Sequence, residues 1–162
     1  MVCHPKIARH RSQGRSGTAA VELAVILPVL TIFFLGCLDF GRFAHSYIAV
    51  VNASRAGAAF GSMNPYPNAP GNPPSPPNST YTQWQKDVRQ AVVDEMSQLG
   101  GFQSSNLTVT ATGISEGNGL WRVKVDVSYP FSMIVDWQGI LDNFNLSSTF
   151  TLRQVTIQRG IR

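Results

Sequence analysis

Glu22 is the side chain with the clearest chemical question attached to it. It is the one charge in the run TAAVELAVILPVLTIFFLGCL, Thr18 to Leu38. A carboxylate in a membrane-spanning segment costs about 2.5–3.5 kcal/mol on insertion scales, so its default reading is a functional one, paired with a cation. The plain alternative is that Glu22 lies about one turn into the run and is solvated at the interface. Other reactive side chains offer less. Cys3, His4 and His10 sit in the N-terminal tail, too scattered for a metal site. Cys37 ends the apolar run, where a thiol acts as a small hydrophobe. A helix from Thr18 to Cys37 rises about 30 Å, which argues against a bridge between the two cysteines and leaves an intermolecular disulfide as the alternative. His45 falls beyond the apolar run, where it is read as a partly exposed helix residue. There is no Gly-x-Ser-x-Gly, no Gly-Lys phosphate loop and no His-Glu-x-x-His. The expectation is therefore no enzyme, no cofactor, no metal and no small-molecule substrate. Asn-x-Ser/Thr strings begin at Asn52, Asn78, Asn106 and Asn145, and matter only on a eukaryotic glycosylation pathway.

The net charge of +4 over 162 residues has one source. Lys6, Arg9, Arg11 and Arg15 lie in the first seventeen residues with no acid, and the remaining bases are matched by the 9 acids. A nucleic-acid binder needs its basic excess on the folded domain, so nucleic acid is set aside as a partner. A basic tail before an apolar run is instead a membrane signal. Thr18–Leu38 supplies the roughly 20 apolar residues that a spanning helix needs. Pro28 lies inside it, as membrane helices tolerate, usually with a kink. The bases precede the run, and the positive-inside rule puts the N-terminus in the cytoplasm and the rest outside. A cleaved secretory signal is the second reading. Against it, the apolar run exceeds the usual 7–15 residues or so, and Cys-Leu-Asp-Phe-Gly-Arg-Phe is a poor cleavage site.

Gly17 follows the basic segment, and Glu22 is the fifth residue after it. The string RSGTAAVELAVILP resembles the processing site of type IV prepilins and pseudopilins. The longer string GTAAVELAVILPVLTIFFLGCLDFGR resembles the TadE-like family of tight-adherence (Flp-type) pilus and secretion systems. Gly17, Ala20, Val21, Glu22, Pro28, Gly36, Asp39 and Gly41 carry the likeness. Weaker echoes lie at Val127–Phe131 and Leu146–Ser148. The resemblance implies a prepilin-type peptidase cutting between Gly17 and Thr18, and a role for Glu22 in assembly. The new Thr18 ammonium and Glu22 have opposite charges. Paired between neighbouring subunits, they would offset the cost of each in lipid and set axial register. Related TadG-type proteins share the helix and are not all processed.

The elements that must position these residues follow. Residues 1–17 form the basic cytoplasmic leader, 18–38 the transmembrane helix and 39–62 an extension of the same helix. Together the helical part would be roughly 65 Å long. In the extension Phe43, Tyr47, Val50 and Val51 recur at helical spacing. Ala49, Ala53, Gly57 and Gly61 stand four apart on one face, a ladder that permits close packing. Its occupant is either the chain's own head, the better reading, or a second protomer. Residues 63–80 form a Pro-rich linker, because seven prolines between Asn64 and Thr80 exclude a helix or an inner strand; a proline-recognition ligand is the alternative.

Residues 81–162 are read as the head. Ser79 or Thr80 caps an amphipathic helix, with Trp84, Val88, Val92, Met96 and Leu99 on its apolar face. Leu107–Thr112 and Trp121–Tyr129 alternate with period two as strands, joined by a hairpin loop at 115–119. A last strand covers about Leu146–Ile157, and 131–145 is ambiguous. The predicted fold is α+β and pilin-like: a long N-terminal transmembrane helix running into a small head, with an antiparallel sheet of about three strands packed on helices. The expected function is a membrane-anchored pseudopilin or minor pilin of a tight-adherence assembly. It would sit single-pass in the bacterial inner membrane with its head extracytoplasmic. Its partners would be membrane lipid, the prepilin-type peptidase and other pilin or pilus-assembly subunits. The alternative is a signal-anchored extracytoplasmic binding domain with no part in a pilus.

Overall fold

The computed structural model describes residues 16–64, 79–117, 120–135 and 148–160. Nearly all of the basic leader, the proline-rich linker, the hairpin tip Asn118–Gly119 and most of segment 131–145 lie outside the described residues. The chain divides into two compact units, Met1–Leu38 and Asp39–Arg162.

Helix α1 spans Ser16–Met63 and contains Pro28. The proline has no N–H to give the Ala24 carbonyl, yet the helix continues through it. One turn on, Thr31 donates its hydroxyl to the Leu27 carbonyl at 2.8 Å. In the first unit, residues 17–38, the large apolar side chains are exposed along almost the whole length.

The second unit is two-layered: the rest of α1 and helix α2 (Ser79–Met96) lie on one face of a three-stranded antiparallel sheet. Strands β1 (Thr108–Gly117), β2 (Leu120–Ser132) and β3 (Thr149–Arg159) run in the order β1-β2-β3. The register sets Val109 opposite Val127 and Ala111 opposite Val125, so the period-two pattern of the two strands makes one apolar face. Val123, Val125 and Val127 are fully buried there, as are Val88, Val92 and Met96 of α2. Beyond α2, Gly101 takes φ 77°, a conformation costly for any residue with a Cβ.

Two strand ends differ from the alternation in the sequence. The β1–β2 ladder continues past Thr112 to Gly117 opposite Leu120, with a register shift between Ser115 and Gly117. Ser, Glu and Gly give no apolar signal there, but Ser115 still pairs with Trp121 and Gly117 with Leu120, leaving Glu116 at the irregularity. β2 also continues through Pro130, opposite Thr151 of β3. Proline is tolerated because β1 pairing stops at Ser128, so no bond to β1 is lost. β3 begins and ends slightly later than Leu146–Ile157, at Thr149 and Arg159.

Candidate functional site

The apolar half of α1 is a surface without a cover. No residue of its most apolar 18-residue window is buried. Val21, Leu23, Val25, Ile26, Phe33 and Phe34 all project outward. A soluble protein rarely leaves so large a contiguous apolar patch in water, so this helix is long and apolar enough to cross a membrane. Gly17, Thr18 and Glu22 lie in the first turns of α1, and Pro28 lies about halfway along the apolar segment 18–38. All four are exposed. Among the described residues Glu22 has no ion-pair partner.

The small-residue ladder is placed differently. Ala53, Gly57 and Gly61 are buried and Ala49 half-buried, all within the second unit. A Cβ built on Gly57 would stand 2.5 Å from Val92 Cγ2 of α2 and 3.4 Å from Val125 Cγ1 of β2. One built on Gly61 would stand 3.0 Å from Val123 Cγ1 and 3.2 Å from Trp84 Cζ2. The missing side chains let α1 settle close against both α2 and the sheet, and the chain's own head occupies that face. Ser54, fully buried, closes the contact with β3. It donates to the Val51 carbonyl at 2.9 Å and lies 2.8 Å from the Thr156 hydroxyl. Ser54 has one proton, and with that given to Val51 the donor in the second bond is Thr156.

Asp39 is a residue whose role the sequence conceals. It follows the apolar run and reads as an interfacial charge, yet it is 3% exposed. Its Oδ1 accepts the Ile134 N–H at 2.9 Å and its Oδ2 the Val135 N–H at 3.2 Å. Arg42 Nη1 lies 3.5 Å from Oδ1 and its guanidinium sits 5.5 Å from the centroid of the Phe131 ring. Phe43 packs edge-on against the same ring at 5.6 Å. The carboxylate thus fastens the end of β2 to α1. The sequence gives no signal for a partner nearly a hundred residues away, since backbone N–H groups belong to every residue.

These contacts run in order along two elements. Asp39 meets Ile134, Phe43 meets Phe131, Gly57 meets Val125 and Gly61 meets Val123. α1 therefore lies antiparallel to β2. From Asp39 to Gly61 the helix rises about 33 Å. From Ile134 back to Val123 a strand covers about 36 Å. The two lengths match, so one helix segment covers β2 from Val123 to its C-terminal end.

The outer face of the sheet carries two charged groups. Glu116 is paired with Arg122 and, at 3.3 Å, Arg159. Asp126 accepts from Arg153 Nε at 2.9 Å, and this bond holds the Asp126 carboxyl below its ordinary value of 3.8. Among the described residues no group of three His, Cys, Asp or Glu side chains is placed to hold a metal.

No curated protein and no solved structure matches the chain. Residues 17–59, all within α1, match the family model described as TadE-like protein. The N-terminal part of this chain is thus similar to the TadE-like family, the one that the string from Gly17 to Arg42 resembles.

Proposed function

We propose that this chain is a membrane-anchored pseudopilin or minor pilin of a tight-adherence (Flp-type) pilus or secretion assembly. It acts by helix-mediated assembly and is not an enzyme. The observation that carries the reading is the uncovered apolar helix with Glu22 in its second turn, inside the stretch that matches the TadE-like family. The chain sits in the bacterial inner membrane with Lys6, Arg9, Arg11 and Arg15 in the cytoplasm and the second unit outside. A prepilin-type peptidase cuts between Gly17 and Thr18. The Thr18 ammonium of one subunit then pairs with Glu22 of a neighbour, in a low-dielectric setting where such a pair is strong.

The test is a photo-crosslinker at Val25 in cells that make the whole system. Crosslinks to pilin or assembly subunits, reduced by Glu22→Ala, are expected. Crosslinks to lipid alone, or protein crosslinks indifferent to Glu22→Ala, would contradict the assembly role. Ala53, Gly57 and Gly61 already serve the head, so contact with other subunits falls to the apolar half of α1.

A further inference from the structure

We propose that the end of the head formed by Phe40, Arg42 and Ile134 is a seat on the lipid surface. Phe40 and Ile134 enter the boundary between headgroups and acyl chains, and Arg42 meets lipid phosphate. The inference rests on the reading of Thr18–Leu38 as a membrane span and goes beyond it, because it assigns the folded head a second, direct contact with lipid.

The argument starts from chain continuity. Leu38 and Asp39 are consecutive residues of one helix. The hydrocarbon core is about 30 Å thick and the polar layers add about 5–7 Å on each side. Thr18–Leu38 crosses the core at about 1.5 Å per residue. The next four residues or so, Asp39–Arg42, then rise through the headgroup layer. A bilayer surface meets whatever stands at that level, on any side of the helix. Asp39 fixes what stands there: its two oxygens hold the Ile134 and Val135 N–H groups.

The chemistry at this level suits lipid. Phe40 is 71% exposed and Ile134, just past the end of β2, is 66% exposed. Exposed large apolar side chains are unfavourable in water and favourable at an acyl boundary. Among the described residues at this level the acid is turned inward, with Asp39 3% exposed. The base is half-exposed: Arg42 reaches Asp39 and lies over Phe131, yet its side chain is 48% exposed, and the remaining guanidinium N–H groups are suited to phosphate. An outward carboxylate would be repelled by anionic lipid, whereas this arrangement presents a cation and two hydrophobes. The seat would stop the head from tilting freely about the point where the chain leaves the membrane.

Single cysteines at three positions test this in the full chain with Cys3→Ser and Cys37→Ser. The protein is reconstituted in vesicles of phosphatidylcholine and phosphatidylglycerol, labelled with an environment-sensitive fluorophore, and quenched by lipids spin-labelled at the headgroup or mid-chain. Ile134→Cys reports the seat. Ile157→Cys is the control: it is 53% exposed on the outer sheet face opposite Lys124, about 33 Å along the strands from Ile134. Phe33→Cys reports the span. The expected result is headgroup quenching at position 134 several-fold stronger than at 157, with mid-chain quenching at 33. Equal quenching at 134 and 157, with position 33 quenched by mid-chain labels, overturns the seat and leaves the span intact. No mid-chain quenching at 33 overturns the span and the seat together.

Discussion

Substitutions at single residues separate packing from conformation in α1. Gly57→Ala places a methyl group 2.5 Å from Val92 Cγ2, and overpacking of this kind costs about 1–3 kcal/mol. Gly41→Ala meets nothing within 4 Å and gains helix propensity, so it should be neutral or stabilising by up to about 1 kcal/mol. Urea unfolding followed by tryptophan fluorescence compares the two, and equal effects would show that the ladder is not the contact it is taken for. Asp39→Ala leaves the Ile134 and Val135 N–H groups, in part-buried bonds, without their acceptor, a loss of about 1–3 kcal/mol, and Asp39→Asn should restore part of it through one oxygen. The sequence made the ladder legible because small residues four apart are a pattern. It left Asp39 illegible because nothing in the local sequence marks a carboxylate that binds distant backbone. Asp126 gives a pH prediction. Its folded pKa is depressed, chiefly by the Arg153 hydrogen bond, so its contribution to stability is complete above the unfolded value. That contribution is lost as pH falls through the folded value, below 3.8. Because Arg153 is largely exposed, solvent and salt screen the effect. Asp126→Asn should flatten a small part of the acid limb of the stability profile, measured as denaturation midpoint against pH.

At the scale of elements, α2 and β2 were readable because each obeys one period without interruption. Trp84, Val88, Val92 and Met96 step by four, and Val123, Val125 and Val127 by two; all are buried. β3 is different. Its inward positions include Gln154, Thr156 and Gln158, opposite Val127, Val125 and Val123, while Val155 and Ile157 point outward and are exposed. Alternation alone would turn this strand over. Pairing with β2 and the Ser54–Thr156 bond to α1 decide its face. α1 from Asp39 to Gly61 and β2 from Ile134 to Val123 share contacts at both ends and in the middle. The second unit should therefore keep its fold without the apolar segment. A chain of residues 39–162 is expected to unfold cooperatively, with circular dichroism of mixed helix and sheet. A chain beginning after Met63 should lose that cooperativity, because Val88, Val92, Val123 and Val125 would lose the helix that covers them. A cooperative melt in the shorter chain would show that α1 is dispensable to the core.

The molecule as a whole joins a helix suited to lipid with a unit whose core is made in water. The sequence separates them by charge and hydropathy alone: bases before Gly17, an apolar run to Leu38, then mixed composition. The TadE-like match covers residues 17–59, which includes the apolar helix and most of its extension but neither α2 nor the sheet. The proposed assembly role thus turns on what happens at Gly17. Glycine before the scissile bond offers no side chain to obstruct a peptidase, so Gly17→Leu should block cutting and leave residues 1–17 attached. Cutting removes four bases and gives Glu22 a possible cationic partner, the Thr18 ammonium of a neighbour. The most direct measurement is intact-mass spectrometry of the protein extracted from membranes of cells that make a prepilin-type peptidase. The account predicts a chain of residues 18–162 beginning at Thr18, with the Gly17→Leu protein longer by the leader. A parent protein that retains its Met1 end in those cells would contradict the account and leave a permanent signal anchor in its place.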